Sequence, residues 1–285
     1  MIFRMEANKY VAQRIAKGFL VHLFLITFAV TCLFPLFWML RCALMTNETV
    51  FTDKSLIPQV LNFGNFAQAW TEGNFAVYFF NSLVYTTCVV VGIVLVSSLA
   101  AYSFSRLDFP GKNFFFYMFV AAMMIPLPGS FVPLYRLMTV LGLINTRIGY
   151  ILCMINVGLS MSILLLKTFF DKMPSDLEDA ARIDGCGRLG IWWHVALPLA
   201  RPALAVIVIF NSLNVWNEYI LATLLLNDKS LMPLQRGLMV FQGSHSVDYP
   251  LLMAGLTIAA IPIVVIYLAM QKHIVKGLSS GAIVG

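Results

Sequence analysis

The sequence predicts an all-α polytopic membrane protein with six transmembrane helices. Three observations point there. Sixty per cent of the 285 residues are apolar and 11% are charged, against about 25% charge in a soluble domain. Six stretches without Asp, Glu, Lys or Arg, one of them interrupted by a single Glu, run 19–33 residues, and a helix needs roughly 20 to cross hydrocarbon. No alternation of lipid-facing and lumen-facing residues marks a β-barrel, and backbone groups in hydrocarbon must bond within their own segment, so the spans are helices. The composition excludes a soluble globular enzyme, a disordered chain and a collagen-like chain.

The spans follow in order from the gaps between charges. Residues 1–17 form an N-terminal segment, and the 23 uncharged residues between Lys17 and Arg41 give a span at about 18–40. Glu72 to Arg106 encloses 33 residues, with a span at about 80–105. Lys112 to Arg136 encloses 23, for a span at about 113–135 that Pro126, Pro128 and Pro133 should break or kink towards its outer end. Arg147 to Lys167 encloses 19 (span 148–167), and Arg201 to Asp228 encloses 26, interrupted by Glu218 (span 202–226). Asp248 to Lys272 encloses 23 (span 250–271), and residues 276–285 form a tail.

With the N-terminus inside, 13 Lys and Arg fall on the cytoplasmic side and 6 outside. The positive-inside rule therefore sets both termini in the cytoplasm. The same rule accounts for the net charge of +6, and no basic run is long enough to suggest a nucleic-acid partner. The five cysteines form no C-x-x-C pair and no metal-ligand spacing with His, so they read as small apolar packing residues and no metal site is expected.

Two connections exceed simple turns. Residues 42–80 lie outside and mix Phe51, Phe63, Phe66, Trp70 and Phe75 with polar residues, as a lobe near the membrane surface would. Residues 168–201 face the cytoplasm. There Ser175 and Glu178 have the spacing of a capping box, and Asp176, Glu178 and Asp179 complement the first turn of a helix. Gly185 is placed to stop that helix, with a positive φ expected. Ala180 and Ala181 in its middle allow another surface to approach closely. A second helix is expected from about Arg188 to Ala196, and Pro198 and Pro202 should break the chain before the fifth span.

Polar residues inside the spans mark a candidate path. Counted from Arg201 at about 1.5 Å per residue, Asn211, Asn214 and Glu218 lie about 15, 20 and 25 Å into the fifth span, within an arc of about 60°. On the fourth span, Asn156 and Ser160 sit one turn apart near mid-depth. Such groups avoid lipid and face the bundle interior or water, and amide and carboxylate groups together can both donate to and accept from a polar solute.

The cytoplasmic loop resembles the EAA loop of binding-protein-dependent ABC importer permeases, whose pattern is E-A-A-x3-G-x9-I-x-L-P. Asp179, Ala180 and Ala181 take the E-A-A positions, Gly185 the glycine, Val195 the isoleucine, and Leu197 and Pro198 the L-P. Further stretches resemble the carbohydrate branch, on the side of the maltose-type second permease. They are N-S-L at Asn81–Leu83, A-Y-S-F-S-R at Ala101–Arg106, F-P-G at Phe109–Gly111 and M-I-P at Met124–Pro126. A-A-R-I-D-G at Ala180–Gly185, W-N-E-Y at Trp216–Tyr219 and the tail G-L-S-S-G-A-I-V-G complete them, with Val284 where many relatives carry Lys.

The resemblance implies the type I ABC importer permease fold and a permease subunit in the bacterial cytoplasmic (inner) membrane. Its partners would be a second, similar permease, a pair of ATPase subunits and an extracytoplasmic solute-binding protein delivering an oligosaccharide, monosaccharide or polyol. Glu178, Asp179, Ala180, Ala181, Arg182, Asp184 and Gly185 would form the coupling helix seated in the ATPase. No G-x-x-x-x-G-K-[ST] segment occurs, so ATP and Mg²⁺ are expected to be used by the ATPase subunits, with no cofactor and no catalytic residue on this chain. The competing class is an ion-coupled secondary transporter or channel. It would want ionisable coupling groups in several spans, where only Glu218 qualifies.

Overall fold

Among the described residues of this computed structural model, every regular element is a helix. The structure describes the backbone of residues 2–71, 74–241 and 247–282, and the side chains within 17–268 except residues 127 and 240 and those two gaps. The last three residues of the tail, Val284 among them, lie outside the described residues. The chain divides into two units, residues 1–69 with 241–258 and residues 70–240 with 259–285.

In the first unit, α1 (Ile2–Ala43) carries the first apolar interval. Phe19, Phe24, Ile26, Val30 and Leu33 are all exposed, as lipid-facing side chains should be. The chain then turns on Arg41, which is 2% exposed. Its guanidinium donates to the carbonyls of Ser55 and Asp53, both at 2.7 Å, and lies 4.5 Å over the Trp38 ring. Asn65, on α2 (Gly64–Thr71), donates to the carbonyls of Ala43 and Met45 at the end of α1. Asp53 accepts from the Ser55 hydroxyl and amide, and those bonds, the hydroxyl's first, hold its carboxyl below its ordinary value. Phe51 meets Tyr249 edge-on at 5.1 Å.

The second unit is built on α3 (Phe75–Arg106) and α6 (Arg147–Asp171), separated in sequence by α4 (Lys112–Ala122) and α5 (Phe131–Val140). Glycines set how near α3 and α6 come. A Cβ at Gly92 would stand 2.5 Å from Ile155 Cδ1, and one at Gly158 would stand 2.3 Å from Ile93 Cδ1. Thr146 caps α6 by accepting from the Gly149 amide.

Past α6 come α7 (Asp176–Ile183) and α8 (Arg188–Ile191), which continues through a π-helical turn at Trp192–Ala196 into α9 (Leu197–Leu199). The chain bends by 78° into α10 (Arg201–Asn217). Pro202 stands at the start of α10, where its missing N–H costs nothing. After α10 come α11 (Ile220–Leu225), α12 (Leu234–Gly237) and α13 (Tyr249–Ala282).

By length and composition, four of the described helices can cross a membrane: Lys17–Ala43, Phe75–Arg106, Arg147–Asp171 and Tyr249–Leu268. The bent pair Arg188–Leu199 and Arg201–Asn217 would make five. The expected third and fifth spans are not continuous helices. The third stops at Ala122, passes through turns and a 3-10 segment at Leu127–Ser130, and resumes as α5. Pro126 and Pro128 lack the N–H groups that would continue α4, whereas Pro133 falls in the first turn of α5, where it is tolerated. The break sits nearer the middle of the interval than its outer end. The fifth span, expected unbroken over 202–226, parts at Glu218, whose backbone is extended (φ −73°, ψ 129°).

Hydrogen bonds tie the segment after α11 to α3. Asn81 donates to the carbonyls of Ser230 and Met232, Tyr85 to that of Leu231, and the Leu234 amide donates to Ser82. Arg147 in turn donates to Asn81 at 2.9 Å. Asn145, with a left-handed φ of 58°, accepts from the amides of Asn227 and Asp228.

Candidate coupling face and membrane path

The eight-residue helix α7 presents two faces. Glu178 and Ala181 are buried, while Leu177, Asp179, Ala180, Arg182, Ile183, Asp184 and Gly185 are exposed. Ile183 is 88% exposed and Leu189, at the start of α8, 71%. Large apolar side chains so exposed form a surface fit to be covered.

The start of α7 differs from the expected capping box. Ser175 has helical backbone angles and makes no capping bond through its side chain. Glu178 points inward instead, and its Oε1 approaches Arg106 Nε at 3.1 Å, off the in-line hydrogen-bond direction. The Tyr102 hydroxyl donates to its Oε2 at 3.4 Å. A buried carboxylate gains more from a cation than from the capping amide that water could replace.

The end of α7 does follow the expected turn. Gly185 has φ +84°. Its amide donates to Arg182 O and the Cys186 amide donates to Ala181 O, the paired bonds of a Schellman closure. A Cβ at Gly185 would meet nothing within 4 Å, so glycine is required by the backbone angle and not by crowding. Asp179 and Arg182 pair on the exposed side at 2.8 Å.

The expected polar stripe divides. Asn211 is 6% exposed and donates to Ser162 Oγ at 3.2 Å and to Ile207 O at 2.9 Å, so its amide nitrogen is committed within the helix bundle. Asn214, three residues on, is exposed. Glu218 is half-buried and lies at the helix break, not on a continuous helix. Its Oε1 accepts from the Leu221 amide at 2.6 Å and its Oε2 from the Ala222 amide at 3.2 Å and the Tyr150 hydroxyl at 3.1 Å. The acid therefore caps α11, and no cation is needed to hold it. An acid followed by apolar residues inside an uncharged interval was the available signal for this break.

Asn156 is exposed and Ser160 half-buried, both on α6. Asn156 lines a cavity of about 280 Å³ with Ser130, Pro133, Leu137, Val157 and Leu221. That cavity lies beside the proline break of the third interval, bounded by α5, α6 and α11. Sequence reasoning missed Arg106, Tyr102 and Tyr150, because their partners lie 68 to 76 residues away.

Residues 92–280 match the model of the family described as binding-protein-dependent transport system inner membrane component. The chain is 34% identical to a probable ABC transporter permease protein of Bacillus subtilis over 93% of this chain and 88% of that one. It is 31% identical to a diacetylchitobiose uptake system permease protein of Streptomyces coelicolor over 91% of this chain and 87% of that one. Its fold is similar to a chain in the crystal structure of a bacterial ABC transporter involved in the import of the acidic polysaccharide alginate. There the TM-score is 0.79 at 24% identity, covering 90% of this chain and 95% of that one.

Proposed function

Because the chain belongs to the family of binding-protein-dependent transport system inner membrane components, we infer that it is a carbohydrate permease subunit of an ATP-driven ABC importer. It is a multi-pass membrane protein and a non-catalytic subunit. The Streptomyces relative's named cargo, diacetylchitobiose, supports the carbohydrate class. In the assembled importer a second, similar permease and two ATPase subunits flank the chain, and an extracytoplasmic binding protein delivers the sugar. ATP and Mg²⁺ act in the ATPase pair. Both termini lie in the cytoplasm, and the two broken intervals each count as one crossing, giving six.

The single observation that carries the coupling role is α7 itself: a D-A-A-x3-G helix between two spans, closed by Gly185, with Ile183 standing 88% exposed. The outer face of α7 (Leu177, Ala180, Ile183, Asp184) together with Leu189 seats in the ATPase. Copurification with the neighbouring ATPase subunit is expected for the wild type and is expected to fall at least tenfold in Ile183→Glu, with membrane insertion unchanged. Undiminished copurification of that variant would refute the docking face.

The sugar path runs by Asn156, Ser160, Asn214 and the outer end near Glu218, and Asn211, enclosed between α10 and α6, supports it from behind. Uptake of labelled oligosaccharides by Asn156→Leu and Asn214→Leu, each assembled normally, is expected to drop several-fold. Wild-type uptake in both would leave these residues structural.

A further inference from the structure

Arg106 ends α3 and gathers three elements. Its Nη2 donates to Phe170 O in the last turn of α6 at 2.5 Å and to Met173 O just beyond it. Its Nε faces Glu178 of α7 at 3.1 Å, with the two side chains 15% and 5% exposed. Ser105 adds a bond to Asp171, also between α3 and the end of α6. Glu178 also accepts from the Tyr102 hydroxyl of α3 and lies 3.7 Å from its own helix's Arg182. The buried face of α7 is thus joined by charge to the paired ends of α3 and α6, while its exposed face is free for another protein.

We propose that Arg106 and Glu178 are positioning residues that make α7 and the α3–α6 pair move as one body, so that displacement of α7 by ATP binding in the importer reaches the membrane helices. The proposal rests on the permease reading above. Its physical ground is that a desolvated ion pair resists separation more than the apolar contacts around it, since parting the charges leaves each unpaired in a poorly solvating site. Without that pair, α7 keeps the Tyr102 bond to Glu178, the packing of Ala181 and its contacts with α8 and the turn after it, and it could shift while α3 and α6 stayed in place.

The test uses the complete complex in nanodiscs, with one spin label replacing exposed Ile148 on α6 and another on the companion permease, outside the body that moves with α7. The readout is the distance change on trapping with ATP, Mg²⁺ and vanadate. Glu178→Gln is nearly isosteric, removes the charge and leaves the Arg106 bonds to Phe170 and Met173 in place. It is expected to copurify at wild-type stoichiometry and to lose at least two thirds of the distance change. Tyr102→Phe, which removes only a hydroxyl, is expected to keep most of it. A full distance change in Glu178→Gln overturns the proposal while leaving the permease reading intact. Should that variant not assemble, Glu178→Asp, with the charge withdrawn by one methylene, is expected to assemble with a reduced change, and a full change there overturns the proposal equally. A wild-type chain that neither copurifies with the ATPase nor responds to ATP would overturn both readings.

Discussion

The Tyr150 hydroxyl and the Glu218 carboxylate meet at 3.1 Å, joining α6 to the point where the fifth interval breaks. Tyr150 is itself buried against Tyr85, edge-on at 4.8 Å, and Tyr85 bonds Leu231. One carboxylate therefore serves two amides of α11 and one hydroxyl of α6.

Glu218→Ala should uncap α11 and cost about 0.5–2 kcal/mol, the range for losing a helix cap. Tyr150→Phe should cost about 0.5–1.5 kcal/mol, that of one hydrogen bond. The double variant should cost less than the sum, because both remove the same contact. Thermal unfolding of the purified protein in detergent measures all three, and strict additivity would contradict a shared bond.

Gly158→Ala should destabilise by about 1–3 kcal/mol, the usual cost of overpacking. The new methyl would stand 2.3 Å from Ile93 Cδ1 and 2.4 Å from Asn211 Oδ1. Shortening Ile93 to Val in the same chain removes only the first clash, so thermal stability should recover in part. Full recovery would mean that Asn211 is free to move aside.

At Gly185 the outcome should follow backbone preference and not size. The position is open but left-handed, a conformation costing roughly 1–2 kcal/mol for most L-residues and less for Asn. Gly185→Asn should keep ATPase copurification near wild type, and Gly185→Val should lose it. Equal loss in both would show that the ATPase requires a bare backbone there.

Asn81→Leu removes the donors to Ser230 and Met232 and the acceptor for Arg147. Amide hydrogen exchange over residues 228–237 should quicken at least tenfold, with the centres of α3 and α6 unaffected. Asp228 in this segment has its carboxyl held below the ordinary 3.8 by the Ser230 amide and side chain. Its contribution to order is present above that ordinary value and disappears as pH falls through the lower folded one. Protection of the wild-type segment should thus be flat from neutral pH to about 4 and weaken only in stronger acid.

Much of the fold was legible where a local rule decides it. Charged residues bracket the long helices closely: Arg106 ends α3, and Arg147 begins α6. Pro126 and Pro128 announced a break, and Gly185 announced a turn of the observed hand. Glu178 departs from its local spacing rule for a physical reason. Its spacing from Ser175 satisfies a local rule, but the half-buried guanidinium at Arg106, 72 positions earlier, outcompetes it. The break at Glu218 is hidden from the charge spacing because an uncharged interval says nothing of where its hydrogen bonds go. Asn211 and Asn214 share a helical arc by angle, yet the approach of α6 through Gly158 encloses one and leaves the other open.

The interruption after Ala122 bears on how the chain survives in a bilayer. On the six-crossing reading proposed above, and entered from Lys112, it lies about 17–21 Å into a hydrocarbon layer roughly 30 Å thick. Met124 and Ile125 are 83% and 63% exposed there. Peptide groups outside a helix are tolerated at such depth only when shielded by protein or facing water. A copy made without a neighbour would carry a wet scar in oil, recognisable to membrane proteases as an orphan. Its cellular half-life should then lengthen when the companion permease is co-synthesised, so that subunit balance is policed by the bilayer itself.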